Sequence, residues 1–431
     1  MDIQEQENSK LLLLGRSFQN TPRNNDQSLS EGSQNTLRLS MPVGGDAFTL
    51  GGRSHLMTFS PDGLSRCGSC IIPNLLTYPG PVVVTDPRGE AYAVTARVRR
   101  EMGHTVVRID PFRVIDEDSD ALNPLDLVVG LEKEKMESAC QDVADLLPLR
   151  NSFTDVWENA AFGLISGVIG YLASVPEKQK FADLYPTFHA DDVVYNLAVV
   201  LDTIGKRIPP MAYNEISAFL QKADAERSRI LTAVTSQLKA MGSQEAQRAL
   251  GKSSVPLDDI IEGKAVTVYV IVPPEKIPAH FSLLRVWIGT LLHCAMRRTA
   301  NATLPTLFLL DEGSHLGSFP QLETAITSCE GYGFRVWTLW DDLSQLRSLY
   351  PVGWATMVNN SGAVQLFGIK DYAVSCEVSA LVGINPENVR SLASDEQIVC
   401  RDGIPHKIKK FDYLTDPLFT NRLKSREYGV S

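Results

Sequence analysis

Apolar runs of strand length alternate with helical patterns between residues 44 and 126. Residues 55–59, 81–86 and 105–110 are such runs, and residues 90–102 have the composition of a helix. A strand, a helix and a further strand at this spacing predict a βαβ unit, whose strands are parallel. The pattern therefore predicts an α/β fold with a central, mainly parallel sheet.

The pattern changes between residues 133 and 251, where Ala, Leu, Glu, Gln and Lys recur with helical periodicity. Residues 155–175 and 214–241 are the clearest predicted helices, and prolines at 186 and 209 interrupt the helical run. We predict that residues 133–251 form an all-helical domain.

The α/β pattern returns after residue 251, with a predicted helix over 281–298. Further apolar runs of strand length occupy residues 265–272, 307–312, 333–340 and 363–368. The sheet must then draw strands from both ends of the chain. We predict one discontinuous α/β domain, formed by residues 41–132 and 252–431, into which the helical domain is inserted.

Two segments bear on disorder and on membrane insertion. Residues 1–40 are rich in Ser, Asn, Gln and Glu and predict a disordered arm without a signal peptide. Residues 160–175 are uncharged, but they are fewer than the ~20 residues that a membrane span requires. The sequence therefore predicts a buried core helix there, and no transmembrane helix.

The charge balance excludes a general nucleic-acid binder. The 431 residues carry a net charge of −10, so any contact with DNA would have to be local. Residues 401–431 are more basic, which predicts a solvated surface strand and tail. The seven cysteines are dispersed, which is typical of reduced thiols in the cytoplasm, and Cys67 and Cys70 lack the second pair that a zinc site needs.

The segment after residue 59 lies where a phosphate-binding loop would join a strand to a helix. Such loops read G-x-x-x-x-G-K-[ST] and hold phosphates with backbone N–H groups. Here Ser60 and Ser65 stand at the glycine positions, Arg66 at the lysine position and Cys67 at the hydroxyl position. The site has the setting of a nucleotide-binding loop and lacks its characteristic residues.

Asp311 and Glu312 end an apolar strand and are the candidate second half of a nucleotide site. In such sites one carboxylate holds Mg²⁺ and the next orients the attacking water. We predict Asp311 as the Mg²⁺ ligand if nucleotide binds, and Asp311 with Glu312 as the catalytic pair. The alternative is that both residues only terminate the strand.

A series of short motifs, in order along the chain, resembles the coupling proteins of type IV secretion and conjugation systems. The resemblance runs from about residue 50 to about residue 419. Its motifs lie at residues 74–80, 84–90, 110–112, 122–126, 157, 310–312, 331–333, 342–346, 359–360 and 371–372.

The resemblance implies a RecA-like P-loop NTPase fold with an all-helical insert, usually assembled as a hexamer. It implies ATP and Mg²⁺ as cofactors, and as partners the secretion channel, a relaxase or effector substrate and single-stranded DNA. The implied location is the cytoplasm, at the cytoplasmic face of the inner membrane.

Four departures from the family pattern put the activity in doubt. The family's loop reads P-T-G-S-G-K-G, of which Pro61 and Gly63 remain, while Ser65 and Arg66 replace the second glycine and the lysine. Glu330 replaces a family arginine that resembles a finger into the neighbouring subunit's site. Asp341 replaces a family glutamine that resembles a γ-phosphate sensor. We also predict that this chain lacks the family's membrane helices.

Arginine is bulkier than lysine at a tight phosphate site, and an arginine finger contributes about 10³–10⁵ in turnover. We therefore predict a coupling-protein homologue that recruits a DNA–relaxase or protein substrate with weak or no ATP hydrolysis. One alternative is an active translocase that uses Arg66 in a different geometry. Another is a regulatory decoy that joins hexamers of a full-length coupling protein.

Overall fold

The computed structural model describes residues 11–17, 47–51, 54–148, 155–298, 304–329 and 331–423. Eleven strands in this part of the chain form one sheet, in the order β2-β1-β11-β10-β9-β3-β8-β7-β4-β6-β5. The strands are β1 Leu12–Arg16, β2 Ala47–Leu50, β3 His55–Phe59, β4 Val82–Thr85, β5 Thr105–Ile109, β6 Val266–Val270, β7 Thr306–Leu310, β8 Phe334–Trp340, β9 Ser361–Leu366, β10 Glu396–Arg401 and β11 Ile404–Lys409.

The described residues also form eighteen α-helices. They are α1 Gly63–Arg66, α2 Ile72–Thr77, α3 Glu90–Glu101, α4 Lys133–Ala144, α5 Val156–Ser174, α6 Leu184–Phe188, α7 Val193–Ile204, α8 Pro210–Leu220, α9 Asp224–Leu238, α10 Gln244–Ala249, α11 Leu257–Glu262, α12 Ile277–Met296, α13 Pro320–Ser328, α14 Leu343–Leu349, α15 Trp354–Asn359, α16 Tyr372–Val382, α17 Pro386–Arg390 and α18 Pro417–Leu423.

The centre of the sheet is parallel and one edge is antiparallel. Strand β3 pairs in parallel with β8 and β9, and β7 pairs in parallel with β8 and β4. These central strands are apolar along most of their length because both faces of a parallel sheet are covered. The predicted α/β fold with a mainly parallel sheet is confirmed.

Part of the predicted disordered arm is a buried strand, so that prediction is wrong for β1. Leu11 to Leu14 are each 9% exposed or less, and β1 lies between β2 and β11. The Asn74 side chain bonds both backbone groups of Leu13, at 2.9 Å each. Burial of four leucines and a paired backbone outweighs the entropy of ordering this short segment. The rest of residues 1–40 lies outside the described residues.

The antiparallel part of the sheet contains a hairpin of β10 and β11, with β1 and β2 beyond it. Asp402 and Gly403 have φ of 51° and 76°, as a two-residue hairpin turn requires. The surface strand predicted within residues 401–431 is therefore half of a hairpin that extends the central sheet.

The chain divides into two compact units. One comprises the described residues within Met1–Val107, Asp258–Tyr269 and Ala295–Ser431, and it contains most of the sheet.

The second unit comprises Arg108–Leu257 and Val270–Cys294, and it is mainly helical. It begins before the predicted boundary at residue 133, because Asn123 ties the preceding segment to the helices. The Asn123 side chain accepts from the Phe181 N–H and donates to the Gln179 carbonyl, both at 2.8 Å.

Two predicted helices of this unit have different outcomes. The helix predicted over 214–241 is broken into α8 and α9, because Glu226 accepts a hydrogen bond from the Ala223 N–H and so begins a new helix. Helix α5 is long and apolar enough to cross a membrane, but 61% of its apolar window is buried. It packs against α4, α8 and α9, as a core helix does.

Candidate functional site

The carboxyl ends of three neighbouring strands bring the candidate residues together. Strand β8 lies between β3 and β7, with Phe59 opposite Trp340 and Leu310 opposite Thr338. Because all three strands are parallel, the residues that follow them emerge at the same edge of the sheet. Ser60, Asp311 and Asp341 therefore meet in one site.

Asp62 accepts two hydrogen bonds from backbone N–H groups of the loop that follows β3. Helix α1 begins at Gly63, before the position where a phosphate-binding loop would end. The Asp62 carboxylate accepts from the Ser65 N–H at 3.0 Å, and its backbone carbonyl accepts from the Arg66 N–H at 2.9 Å. These N–H groups are the kind that hold phosphate in a working loop, and here the chain's own oxygens occupy them.

The Arg66 side chain is fully buried among three carboxylates. Its Nε donates to Asp311 at 2.9 Å, one Nη donates to Asp341 at 2.6 Å, and the other Nη pairs with Glu312. The Ser60 carbonyl accepts a fourth hydrogen bond. Arg66 is 0% exposed, whereas the Asp311, Glu312 and Asp341 side chains are 3, 19 and 36% exposed. The carboxylates thus form the wall of the site, and the guanidinium fills its centre.

The ionisation of this cluster is set by burial and by charge pairing together. Burial alone would lower the pKa of Arg66, but the charges of Asp311 and Glu312 and the hydrogen bond of Asp341 raise it overall. Burial raises the pKa of Asp311 and of Glu312, against the opposing charge of Arg66. The guanidinium therefore stays charged, and the raised pKa of Asp311 and of Glu312 means that these two carboxyl groups hold protons more readily than free ones.

Asp341 is held in place by Gln345, which lies in the first turn of the following helix. The Gln345 amide donates to Asp341 Oδ2 at 2.9 Å and accepts from the Asp341 N–H at 3.2 Å. Asp342 caps α14 by accepting from the Gln345 N–H at 2.9 Å. The carboxylate of Asp341 is thereby oriented toward Arg66.

Glu312 adopts a left-handed backbone conformation, with φ of 53° and ψ of 54°. This conformation is strained for a residue with a side chain and recurs at functional sites. Asp311 Oδ1 accepts from the Glu312 N–H at 3.0 Å, and its backbone carbonyl accepts from the Thr85 hydroxyl at 2.9 Å. These bonds fix both carboxylates relative to the sheet.

Two basic side chains reach the outer side of the loop. Lys410 follows β11, donates to the Ser65 hydroxyl and lies 4.8 Å from the centre of the Phe367 ring. Arg88 donates to the Gly63 carbonyl at 3.1 Å. Sequence reasoning missed Lys410, since it placed the residue on a surface strand far along the chain from the loop.

The other predicted loop residues lie as follows. Pro61 is exposed at the tip of the loop. Cys67 is buried, and burial raises the pKa of its thiol, so it supplies no hydroxyl-like ligand. Asp62, whose capping closes the loop, was not predicted, although an aspartate before a helix is a common cap. Glu330 lies outside the described residues.

Parallel strands whose carboxyl ends carry a loop and a carboxylate pair are the arrangement of a RecA-like fold. Residues 9–384 match the model of the family described as type IV secretory system conjugative DNA transfer, and the chain belongs to this family.

Relatives and solved structures agree with this assignment. VirD4 of Rhizobium radiobacter is 24% identical over 89% of this chain and 60% of its own length. TraG of Agrobacterium fabrum is 24% identical over 69% of this chain and 46% of its own length. The chain thus spans about 60% or less of these relatives. The plasmid coupling protein TrwB, bound to the ATP analogue ADPNP, superposes with a TM-score of 0.66 at 15% identity, covering 83% of this chain and 85% of its own.

TrwB has also been solved with ADP and Mg²⁺. We therefore compared the arrangement of this site with the needs of a bound Mg-nucleotide. The arrangement of this site does not fit one. The Arg66 guanidinium lies between the carboxylates that would converge on a metal, and in the described part of the chain no group of three or more Asp, Glu, His or Cys is placed to hold a metal ion.

Proposed function

We propose that this chain is a coupling-protein homologue that recruits a DNA–relaxase or protein substrate to a type IV transfer channel, with weak or no ATP hydrolysis. Family membership supports the coupling role. Its proposed partners are channel components, a relaxase or effector, single-stranded DNA and further subunits of its own kind or of a full-length relative. Its proposed place is the cytoplasmic face of the inner membrane.

One observation carries the proposed loss of hydrolysis: the buried Arg66 guanidinium is paired with Asp311, Glu312 and Asp341. Asp62 adds a fourth carboxylate at the loop. The Arg66 charge is already matched by these carboxylates, so the guanidinium is not available to a polyphosphate, and the basic side chains of Lys410 and Arg88 lie on the outer side of the loop. Two like charges about 4 Å apart repel by about 4 kcal/mol at an effective dielectric constant of 20, so the carboxylates oppose the approach of phosphate.

The helical unit is the proposed recruiting surface. Helix α7 is apolar in composition, yet Tyr195 and Val199 on it are exposed. An open groove of about 650 Å³ runs between α7 and α9, with Leu231 in its lining and Asp192 and Asp224 among its polar residues. Asp224 is paired with Arg227 in this lining, and Ser and Thr side chains complete it, so the groove suits a protein segment that carries both apolar and polar side chains.

Turnover measurements test the proposed impairment. The purified chain is assayed for ATP hydrolysis with and without single-stranded DNA, beside a Glu312→Gln variant. We expect the same background rate in both proteins. Robust turnover that Glu312→Gln abolishes would refute the impairment.

A binding experiment tests the coupling role separately. The chain is co-expressed with the relaxase and channel components of its own host, and complexes are isolated through a tag on the chain. We expect co-purification that falls in Tyr195→Ser and not in Tyr332→Ser, an exposed tyrosine of the sheet unit. Absence of every complex would count against the coupling role.

The contact of Lys410 with Ser65 favours a second candidate, an active ATP-driven translocase. In this candidate Lys410 supplies the ammonium that residue 66 does not. Titration calorimetry with Mg-ATP would then show binding that Lys410→Ala abolishes. No binding by the native chain removes this candidate.

A further inference from the structure

The Arg66 side chain, which makes this site unsuitable for a Mg-nucleotide, also connects the ends of three strands. Each of its three guanidinium nitrogens pairs with a different carboxylate, and the three carboxylates follow two different strands. The Ser60 carbonyl after a third strand accepts the fourth hydrogen bond. A single buried cation therefore joins the ends of β3, β7 and β8.

This joining is the structural task that a metal ion performs in related sites. A divalent metal at a carboxylate pair neutralises the acids and fixes the strand ends around the substrate. Mg²⁺ demands oxygen ligands at about 2.0–2.1 Å in octahedral geometry. Carboxylates that surround a planar guanidinium are spread around its edge, so they cannot converge on one metal while Arg66 is in place.

Neighbouring side chains hold the carboxylates in place around the Arg66 guanidinium. Gln345 orients Asp341 with two hydrogen bonds, and the Thr85 hydroxyl bonds the Asp311 carbonyl. Arg66 itself leaves the first turn of α1, whose start Asp62 caps. Two of the three carboxylate residues that contact the guanidinium, Asp311 and Asp341, are thus fixed by a neighbour within the same unit.

We propose that Arg66 is a resident counter-ion, which takes the place of the divalent metal and keeps the site assembled without metal or nucleotide. The inference deepens the proposed function and rests on it, because it explains how a coupling protein could keep its fold at a site that no longer turns over. It predicts that removing the guanidinium opens a cation site among Asp311, Glu312 and Asp341.

The test is thermal unfolding of the whole chain with and without millimolar Mg²⁺ or Ca²⁺. The native chain should shift by less than about 1 °C on adding either ion, since the site is already filled. Arg66→Ala should unfold about 3–5 °C lower, because it leaves buried carboxylates without their cation. Addition of either ion should restore about half or more of this loss.

Two further variants serve as controls. Arg88→Ala removes a basic side chain that bonds the same loop from its exposed side, and it should change neither the unfolding temperature nor the response to metal. Arg66→Ala combined with Asp341→Asn should lose the response to metal, since one of three ligands is gone.

A native chain that Mg²⁺ stabilises by several degrees would overturn the proposal, as would an Arg66→Ala variant that unfolds at the native temperature or ignores both metals. If Arg66→Ala is insoluble, the triple variant Arg66→Met, Asp311→Asn and Asp341→Asn replaces it in the test. A soluble, folded triple variant supports the view that Arg66 balances the charge of these carboxylates. An insoluble triple variant refutes it. Stabilisation of the native chain by Mg²⁺ with intact partner binding would overturn only this inference. Absent partner binding without a metal response would overturn only the coupling role.

Discussion

The ion pair between Arg16 and Asp416 allows a sharp test of the N-terminal strand. Arg16 Nε lies 2.5 Å from Asp416 Oδ2, and its Nη2 lies 2.6 Å from Oδ1. Each side chain is 9% exposed. The perturbation is Asp416→Asn, which keeps the shape and the Oδ1 that caps the Leu418 N–H while removing the charge.

The expected magnitude follows from burial. Removing one partner of a buried ion pair costs about 3–5 kcal/mol, because the remaining charge stays desolvated. A residue in β1 then opens more often, and about 3 kcal/mol corresponds to hydrogen exchange about 10²-fold faster. The four buried leucines beside Arg16 slow exchange in the native chain, which provides the range needed to see this change.

The assay is hydrogen exchange by mass spectrometry on a peptide that covers residues 11–17. The control is Asp395→Asn, which breaks the exposed pair of Asp395 with Lys409, the residue opposite Arg16 on β11. Exposed pairs contribute about 0–1 kcal/mol, so the control should change exchange by about fivefold or less. Equal rates in native and Asp416→Asn proteins would refute the anchoring of β1 by this pair.

Three further predictions concern the same unit. Gly15→Ala would place a Cβ 2.4 Å from the Lys409 carbonyl oxygen, so we expect a fall in unfolding temperature of several degrees; a native value would contradict the register of β1. Burial raises the pKa of Asp86 from 3.8 to about 6, so its contribution to stability is present below pH 4 and lost as pH rises through 6. Asp86→Asn should therefore gain up to about 3 kcal/mol relative to the native chain between pH 4 and 7, measured by urea unfolding; a constant difference would be contrary evidence. Gln345→Ala removes both bonds that hold Asp341 and should lower the unfolding temperature by about 2–4 °C; an unchanged temperature would show that Asp341 needs no support.

The centre of the sheet was predictable because its signal is local. Strands β3, β4, β7 and β8 are continuous apolar runs of strand length, and parallel strands must be joined by helices of recognisable period. The meeting of the loop with Asp311 and Glu312 followed, since carboxyl ends of adjacent parallel strands share an edge.

Strand β1 of the antiparallel edge was not predicted, because the signal for it is not local. Strand β1 has only a few apolar residues within a polar segment, and its partner β11 lies almost 400 residues away. Its order comes from the pairing, from Asn74 and from Asp416, none of which is visible in the local composition. The Asp402–Gly403 turn of the hairpin was a readable signal, because this dipeptide is among the strongest for a two-residue hairpin turn.

The contact between Arg66 and Asp341 could not be predicted from the sequence. From the sequence, Arg66 and Asp341 count as two separate departures that each weaken a nucleotide site. In the structure they lie in contact, at 2.6 Å, and Arg66 also bonds the carboxylates that a metal would need. A lysine carries one compact ammonium group, whereas the arginine fork reaches several acceptors at once, so the pair forms a single feature. Which acceptors the fork reaches depends on the spacing of three strand ends, and that spacing exists only in the folded sheet. The two departures should therefore be tested together, because the effect of changing either one depends on whether the other is present.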